Sequence, residues 1–293
     1  MKSYNITILT AVLFVSCFGL SCFAECPSMD FTGDCLVDFA DFAVFAGQWL
    51  DDGTPIPILN VMTWVLISDP GVSGHEGFTG EMSEYETTNA QYCQFLNAAL
   101  ATGDITASGS YVVGISGPYS GQNYYYLAGA GSTYNGDTNG GAARINWTGS
   151  SFTVDSGFEN HPVTYVSWYG ATAFCNYYGY RLPTEWEWQA VADHTVADPY
   201  AYGCGATINN SIANYYGSTH PYGTTAVGAF GTYGYGMCDM AGNVWEWTST
   251  DYYGYRVIRG GGWFNIDINC TVSDWDGNFP VNVYYFIGFR VCR

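Results

Sequence analysis

The sequence predicts a compact, loop-rich fold of mixed helices and short strands, with little regular helix. Three observations carry that expectation. Aromatic residues make up 18% of 293 and glycines number 37, so rings fill space and glycines turn the chain. Apolar residues reach 48% against 11% charged, where about 25% charged is usual. That excludes a disordered acidic chain, because disorder needs low hydrophobicity, and a coiled coil, which needs abundant Glu, Lys and Ala. Helix-start signals occur at only a few places, separated by long stretches rich in Gly, Ser, Tyr and Asn.

Residues 1–24 read as a secretory signal: Lys2, an apolar run from Ile6 to Leu20, and Ala24 before Glu25. The run is too short to span a bilayer, and no later stretch reaches that length. An exported protein is expected, extracellular, at the cell surface or periplasmic. A lipoprotein reading through Cys17 or Cys22 is weaker, since neither follows the usual small and aliphatic residues. Eight cysteines remain after cleavage, and an even number in an exported chain favours disulfides, with connectivity open. There is no CxxC pair, and His75, His161, His194 and His220 are scattered, so neither a zinc ribbon nor an HExxH site is present.

The charge balance is 26 acids to 7 bases, net −19. Nucleic acid and anionic membranes are poor partners, because phosphate binding needs clustered Lys and Arg. Acidic loops around calcium suit this balance better. The alternative is acidity that only keeps an exported chain soluble.

Residues 25–55 form a small acidic module. Asp30, Thr32, Asp34, Asp38 and Asp41 stand at positions 1, 3, 5, 9 and 12 of a loop, with the Leu36 carbonyl at position 7. Calcium takes about six to eight oxygens, and this spacing wraps oxygens around one point. The alternative is an acidic turn that caps a helix. The loop resembles one calcium loop-helix of a dockerin, with two departures: Cys35 stands at the glycine position, and the second half is missing. The following segment places Phe39, Phe42, Ala46 and Trp49 on one helical stripe that cannot bury itself. The resemblance implies docking to a cohesin-like or other extracellular protein. Asp51 to Pro57 reads as the linker to a main domain that fills the rest of residues 56–293.

That domain opens with a strand, Val61 to Ile67, and an extended stretch that ends at Tyr85. Thr87 or Thr88 then caps a helix through Leu100, with Ala90, Cys93, Phe95, Leu96 and Ala99 apolar. Residues 102–160 lack a helical period and should be loops and short strands. Ser167 to Tyr178 is a second helix. Pro183 and Thr184 begin a third, with Glu185 and Glu187 in its first turn. Loops and aromatic strands follow Asp193. Arg181, Arg259 and Arg290 should pair with carboxylates such as Glu185, Glu187 or Glu246, because buried charges need partners. Trp186, Trp188, Trp245 and Trp247 are expected in the core.

Six blocks in order carry a resemblance: Glu86 to Phe95 (ETTNAQYCQF), His161 to Trp168 (HPVTYVSW), Arg181 to Trp188 (RLPTEWEW), Gly242 to Thr248 (GNVWEWT), Arg259 to Trp263 (RGGGW) and Gly288 to Arg290 (GFR). Together they resemble the formylglycine-generating enzyme family, or sulfatase-modifying factor domain, over about residues 60–293. The resemblance implies an α+β, C-type-lectin-like fold with little regular secondary structure, a small central sheet and structural calcium. It places calcium on the side chains of Asp239 and Glu246 and the carbonyls of Gly242 and Val244. A second family site would use Asn214 and the Tyr215 carbonyl, but Thr219 and His220 stand where its acidic ligand should be.

The family enzyme oxidises a sulfatase cysteine to formylglycine with oxygen and a copper(I) ion held by two cysteines five residues apart. Soft thiolates select copper(I). Cys270 matches the first position, whereas Trp275 occupies the second. Cys175 with Cys292 resembles a structural bridge of the family, shifted by one residue, and Cys204 with Cys238 is a further candidate pair. Three readings follow. One is a binding or structural module that has kept the fold. Another is an oxidase with an atypical site acting on a sulfatase polypeptide. The third is a different oxidoreductase on the same fold.

Overall fold

A computed structural model describes residues 62–71, 76–127, 141–194, 200–218 and 223–293. The chain divides into two compact units, Met1–Leu59 and Asn60–Arg293. The signal segment and the Asp30–Asp41 loop lie outside the described residues.

The second unit is α+β. Four small sheets and three helices are described, joined by long loops. Strands β1 (Trp64–Ser68) and β2 (Thr79–Ser83) pair antiparallel. Helix α1 (Asn89–Ala101) follows, and Thr88 is its cap: the hydroxyl accepts from Gln91 N while Gln91 reaches back to Thr88 N. That reciprocal box satisfies two donors that a bare helix start leaves free. Strands β3 (Ile105–Ser108), β4 (Tyr111–Gly114) and β5 (Asn123–Tyr126) make a meander, and β6 (Ile145–Trp147) with β7 (Phe152–Val154) a hairpin. Helix α2 (Trp168–Tyr178) runs from the Ser167 cap to Gly179, which takes φ 75° as left-handed caps require. Helix α3 (Glu185–Ala192) carries a second capping box, built by Thr184 and Glu187.

The largest sheet holds β8 (Trp245–Tyr252), β9 (Tyr255–Arg259), β10 (Asp276–Asn278) and β11 (Ile287–Gly288), in the order β10-β9-β8-β11. Only β11 runs parallel to its neighbour. After it the chain turns back along earlier segments: Cys292 bridges both Met82 and Arg181, and Ser83 N donates to Val291 O at 2.8 Å. Arg290 is thereby carried into the interior.

Aromatic rings fill the core between α1, α2 and this C-terminal segment. Phe174 lies 5.7 Å from Phe95, 6.0 Å from Tyr92 and 5.4 Å from Phe289, centroid to centroid. Each such buried ring contributes roughly 1.5–3 kcal/mol. Trp188, Trp245 and Trp247 are buried as expected, but Trp186 is 46% exposed. The buried face of α3 consists of Glu185, Trp188, Ala190, Val191 and Ala192, and Trp186 lies outside that set.

Candidate functional site

The most highly charged part of the interior surrounds Arg290. Its guanidinium is fully buried, and all five of its N–H donors are used. Nε and Nη2 donate to the two Glu246 oxygens at 2.6 and 2.7 Å. The others donate to the carbonyls of Cys238 (2.9 Å), Ser83 and Glu84 (both 3.2 Å). Trp188 Nε1 donates to Glu246 as well, at 2.7 Å. The expected pairing of arginines with carboxylates is therefore present here. It recurs at Arg181, which binds Glu187 through two bonds of 2.6 and 2.7 Å, and at Arg259, which reaches Glu185 at 2.8 Å.

Two further buried acids face this cluster. Glu86 accepts from Asn243 Nδ2 at 2.7 Å and from Val244 N at 3.2 Å. Burial pushes its carboxyl well above the usual range, and the charges of Asp239 and Glu246 add to that, against Arg290. Asp239, held at φ 56°, accepts from Gly228 N at 2.6 Å, and burial raises it to about 6. Three acids thus share one guanidinium. At the turn between them Gly242 has φ 82°, and a Cβ there would stand 2.3 Å from the Asn214 carbonyl oxygen, so only glycine fits.

Of the donor set expected for calcium at this turn, the Glu246 carboxylate is taken up by Arg290 in this arrangement. Both Glu246 oxygens accept from Arg290, whose charge stands beside the position expected for the ion. Among the described residues no three His, Cys, Asp or Glu side chains are grouped to hold a metal. Asn214 is likewise engaged: its amide donates to Gly223 O at 3.0 Å and its oxygen accepts from Ser218 Oγ at 2.6 Å. The Tyr215 carbonyl accepts from Ser218 N at 2.9 Å.

Cys270 closes the 3-10 turn Asp267–Cys270 and is fully buried. Burial pushes its thiol up to about 12, with the charges of Cys204, Asp267 and Asp274 adding to the rise. Reactive thiols are lowered, not raised. Trp275 points away to the surface, 41% exposed, with its ring 5.0 Å from that of Tyr252. The two positions of the family's copper pair are therefore separated into interior and surface. Cys204 shares a small buried cluster with Cys270, whereas Cys238 lies beside Glu84, at 3.8 Å from its carboxylate. Burial, and after it the charge of Cys292, pushes the Cys175 thiol well above its usual value. All six described cysteines are free thiols in this structure.

A row of exposed rings on the largest sheet escaped the sequence reading. Tyr252, Tyr253, Tyr255, Trp275 and Phe279 are between 38% and 88% exposed. The Tyr253-Gly254 turn was the available signal, since a dipeptide ending in glycine between two strands marks a hairpin.

The fold and its arginine–carboxylate pairs, buried at Arg290 and Arg259 and exposed at Arg181, define a loop-rich α+β domain in which charge is used structurally. The chain belongs to the sulfatase-modifying factor enzyme 1-like domain family, whose profile matches residues 76–293. Among curated relatives, the serine/threonine-protein kinase pkn1 of Chlamydia pneumoniae is 34% identical over 174 residues, 52% of this chain and 27% of the kinase. The formylglycine-generating enzyme of Mycobacterium tuberculosis is 38% identical over 108 residues, 33% of this chain and 36% of that enzyme. The inactive C-alpha-formylglycine-generating enzyme 2 of Bos taurus is 32% identical over 148 residues, 44% and 49% of the two chains. The matches thus span half or less of each relative. Among solved structures, CarF aligns with a TM-score of 0.55 at 21% identity, covering 79% of this chain and 98% of CarF. The Treponema denticola variable protein 1 aligns at 0.52 and 18%, covering 82% and 99%. These likenesses concern the fold alone.

Proposed function

We propose that this chain uses the family fold as an exported binding module and not as a formylglycine-generating oxidase. The observation that carries the reading is the fate of the two copper positions: Cys270 is sealed and its thiol raised, while Trp275 is an exposed indole. An indole N–H donates and offers no lone pair to a metal. The bovine relative carries the word inactive in its name, so the domain occurs without the activity. In this reading the Asp30–Asp41 loop takes calcium, and residues 25–55 dock to a cohesin-like or other extracellular protein.

The test is a copper(I) titration of the full chain, followed by incubation with a sulfatase-motif cysteine peptide and oxygen. Negligible conversion is expected. Robust oxygen-dependent formylglycine formation, abolished by Cys270→Ser, would overturn the module reading. One observation favours the oxidase as a second reading: Cys204 brings another thiol into the cluster around Cys270, and two soft thiolates suit a cuprous ion. Under that reading copper uptake survives Trp275→Ala and is lost in both Cys204→Ser and Cys270→Ser.

A further inference from the structure

Two buried cysteines, Cys204 and Cys270, stand on segments that the backbone ties together. Tyr202 bridges Thr271 antiparallel, and Val272 N donates to Ala201 O at 2.9 Å. Facing Cα atoms in such a pair are about 4.5–5.5 Å apart, and the two chains run in opposite directions. Gly203 and Cys204 follow Tyr202, while Cys270 precedes Thr271. Both cysteines therefore lie on the same side of the bridge, with Gly203 opposite Cys270.

The first segment then reverses at once. Tyr202 N and Gly205 N each donate to the other's carbonyl at 2.9 Å, so Gly203 and Cys204 form the tip of a tight turn. Cys204 stays one residue step, about 3.8 Å, from the position that faces Cys270. A disulfide needs Cα atoms about 4.4–6.8 Å apart, and one step from a facing pair is of that order.

The side chains agree with the backbone. Cys204, Ala213, Ala241 and Cys270 form one small buried cluster, with Tyr202 and Tyr215 packed against it. Burial first, then Asp267 and the two sulfurs, raises both phenols, so each ring lies near both cysteines. The Cys270 sulfur is pressed on Gly261, where a Cβ would stand 2.7 Å from it. Cys204 Sγ is held loosely, 3.9 Å from the Thr207 carbonyl, and a thiol is a weak donor. Cys238 is turned instead to the Glu84 carboxylate, at 3.8 Å.

We propose that Cys204 and Cys270 form a disulfide in the mature protein, which pins the Tyr202–Gly205 turn to the Asp267–Cys270 turn. The inference rests on the exported-module reading, since disulfides persist in oxidising compartments. It deepens that reading, because the bond takes up both thiols that a cuprous site would need. Turning Cys204 away from Thr207 brings its sulfur to Cys270. Each thiol loses one hydrogen and the Sγ–Sγ bond forms. The two electrons and two protons pass to a disulfide oxidant such as oxidised glutathione, whose own S–S bond opens to two thiols. Burial above all holds the folded thiols at about 11 for Cys204 and about 12 for Cys270. Exchange needs a thiolate, so the bond forms while the chain is still open.

The experiment refolds the full chain in a glutathione redox buffer, alkylates remaining thiols in denaturant, and maps the links by mass spectrometry. Trypsin with cyanogen bromide puts Cys204 alone on fragment 182–237, Cys238 on 238–240 and Cys270 alone on 260–290. Fragment 182–237 linked to 260–290, and released by reductant, is expected, with Cys238 alkylated. Alkylation of both Cys204 and Cys270 would overturn the proposal. So would a link from 182–237 to 238–240, or a mixture of links that marks unselective oxidation. Incubation of the same oxidised protein with copper(I), oxygen and a sulfatase-motif peptide separates the two readings. Unlinked thiols with no formylglycine formed remove the bond alone. A linked pair with formylglycine still formed supports the bond and removes the module reading.

Discussion

At the scale of single residues, the interior is organised by arginine. Arg290 has every donor satisfied and stands among Glu246, Glu86 and Asp239. Its replacement by methionine would leave Glu246 and Trp188 facing each other without a counter-charge, and would take a donor from three carbonyls, of which Glu84 O keeps its bond from Cys238 N. Removing one member of a buried pair costs about 3–5 kcal/mol, and Arg290→Met should lower the unfolding free energy extrapolated from a urea titration by that much. The same variant tests the calcium assignment. If added calcium restores its melting temperature, the site accepts a divalent cation once the guanidinium is gone; no rescue is expected, because the methionine side chain fills the space the guanidinium held. The pairs of Arg259 and Arg290 were legible in the sequence because a buried guanidinium demands a carboxylate; Arg181 found Glu187 as expected but at the surface, 48% exposed. The engagement of Glu246 by Arg290 was not legible, because the motif names oxygens while the guanidinium comes from 44 residues further along the chain.

At the scale of elements, the helices were the most readable part. Ser167 and Thr184 stand at the predicted caps, and Thr88 resolves the choice between two neighbouring threonines. Capping is a local rule, so local sequence suffices. The strand pairings were not readable, because short strands in four separate sheets take their partners from distant segments. Trp186 was misplaced for a related reason: a tryptophan in a short helix looks like core until the buried face is known. The third cap carries a measurable consequence. Thr184 Oγ accepts from Glu187 N at 3.1 Å, while Glu187 both returns the bond to Thr184 N at 2.8 Å and holds Arg181. Burial alone would raise the Glu187 carboxyl, but the bonds from Arg181 and Thr184 outweigh it and leave it lowered. Thr184→Ala should therefore cost about 1 kcal/mol, read from urea unfolding, while Thr184→Ser should be nearly neutral.

At the scale of the whole molecule, the last residues close the structure. Arg290 bonds to Ser83 across 207 positions, Val291 to the same serine across 208, and Arg293 to Glu81 across 212. Deleting residues 287–293 removes β11, the Phe289 ring and Arg290 together. The shortened chain should show no cooperative thermal transition by near-ultraviolet circular dichroism. Its persistence as a cooperative fold would mean that the rest of the sheet is self-sufficient. These closing contacts also fix an order in time. A chain made from its amino end has α1, α2 and α3 in hand long before their partner segment exists, and contacts of such span are slow to find. During that interval the faces destined for Phe289 and Arg290 stay open, with Glu86 and Glu246 still in water. The domain cannot mature piece by piece as it is synthesised; it waits, and then locks when residues 287–293 arrive.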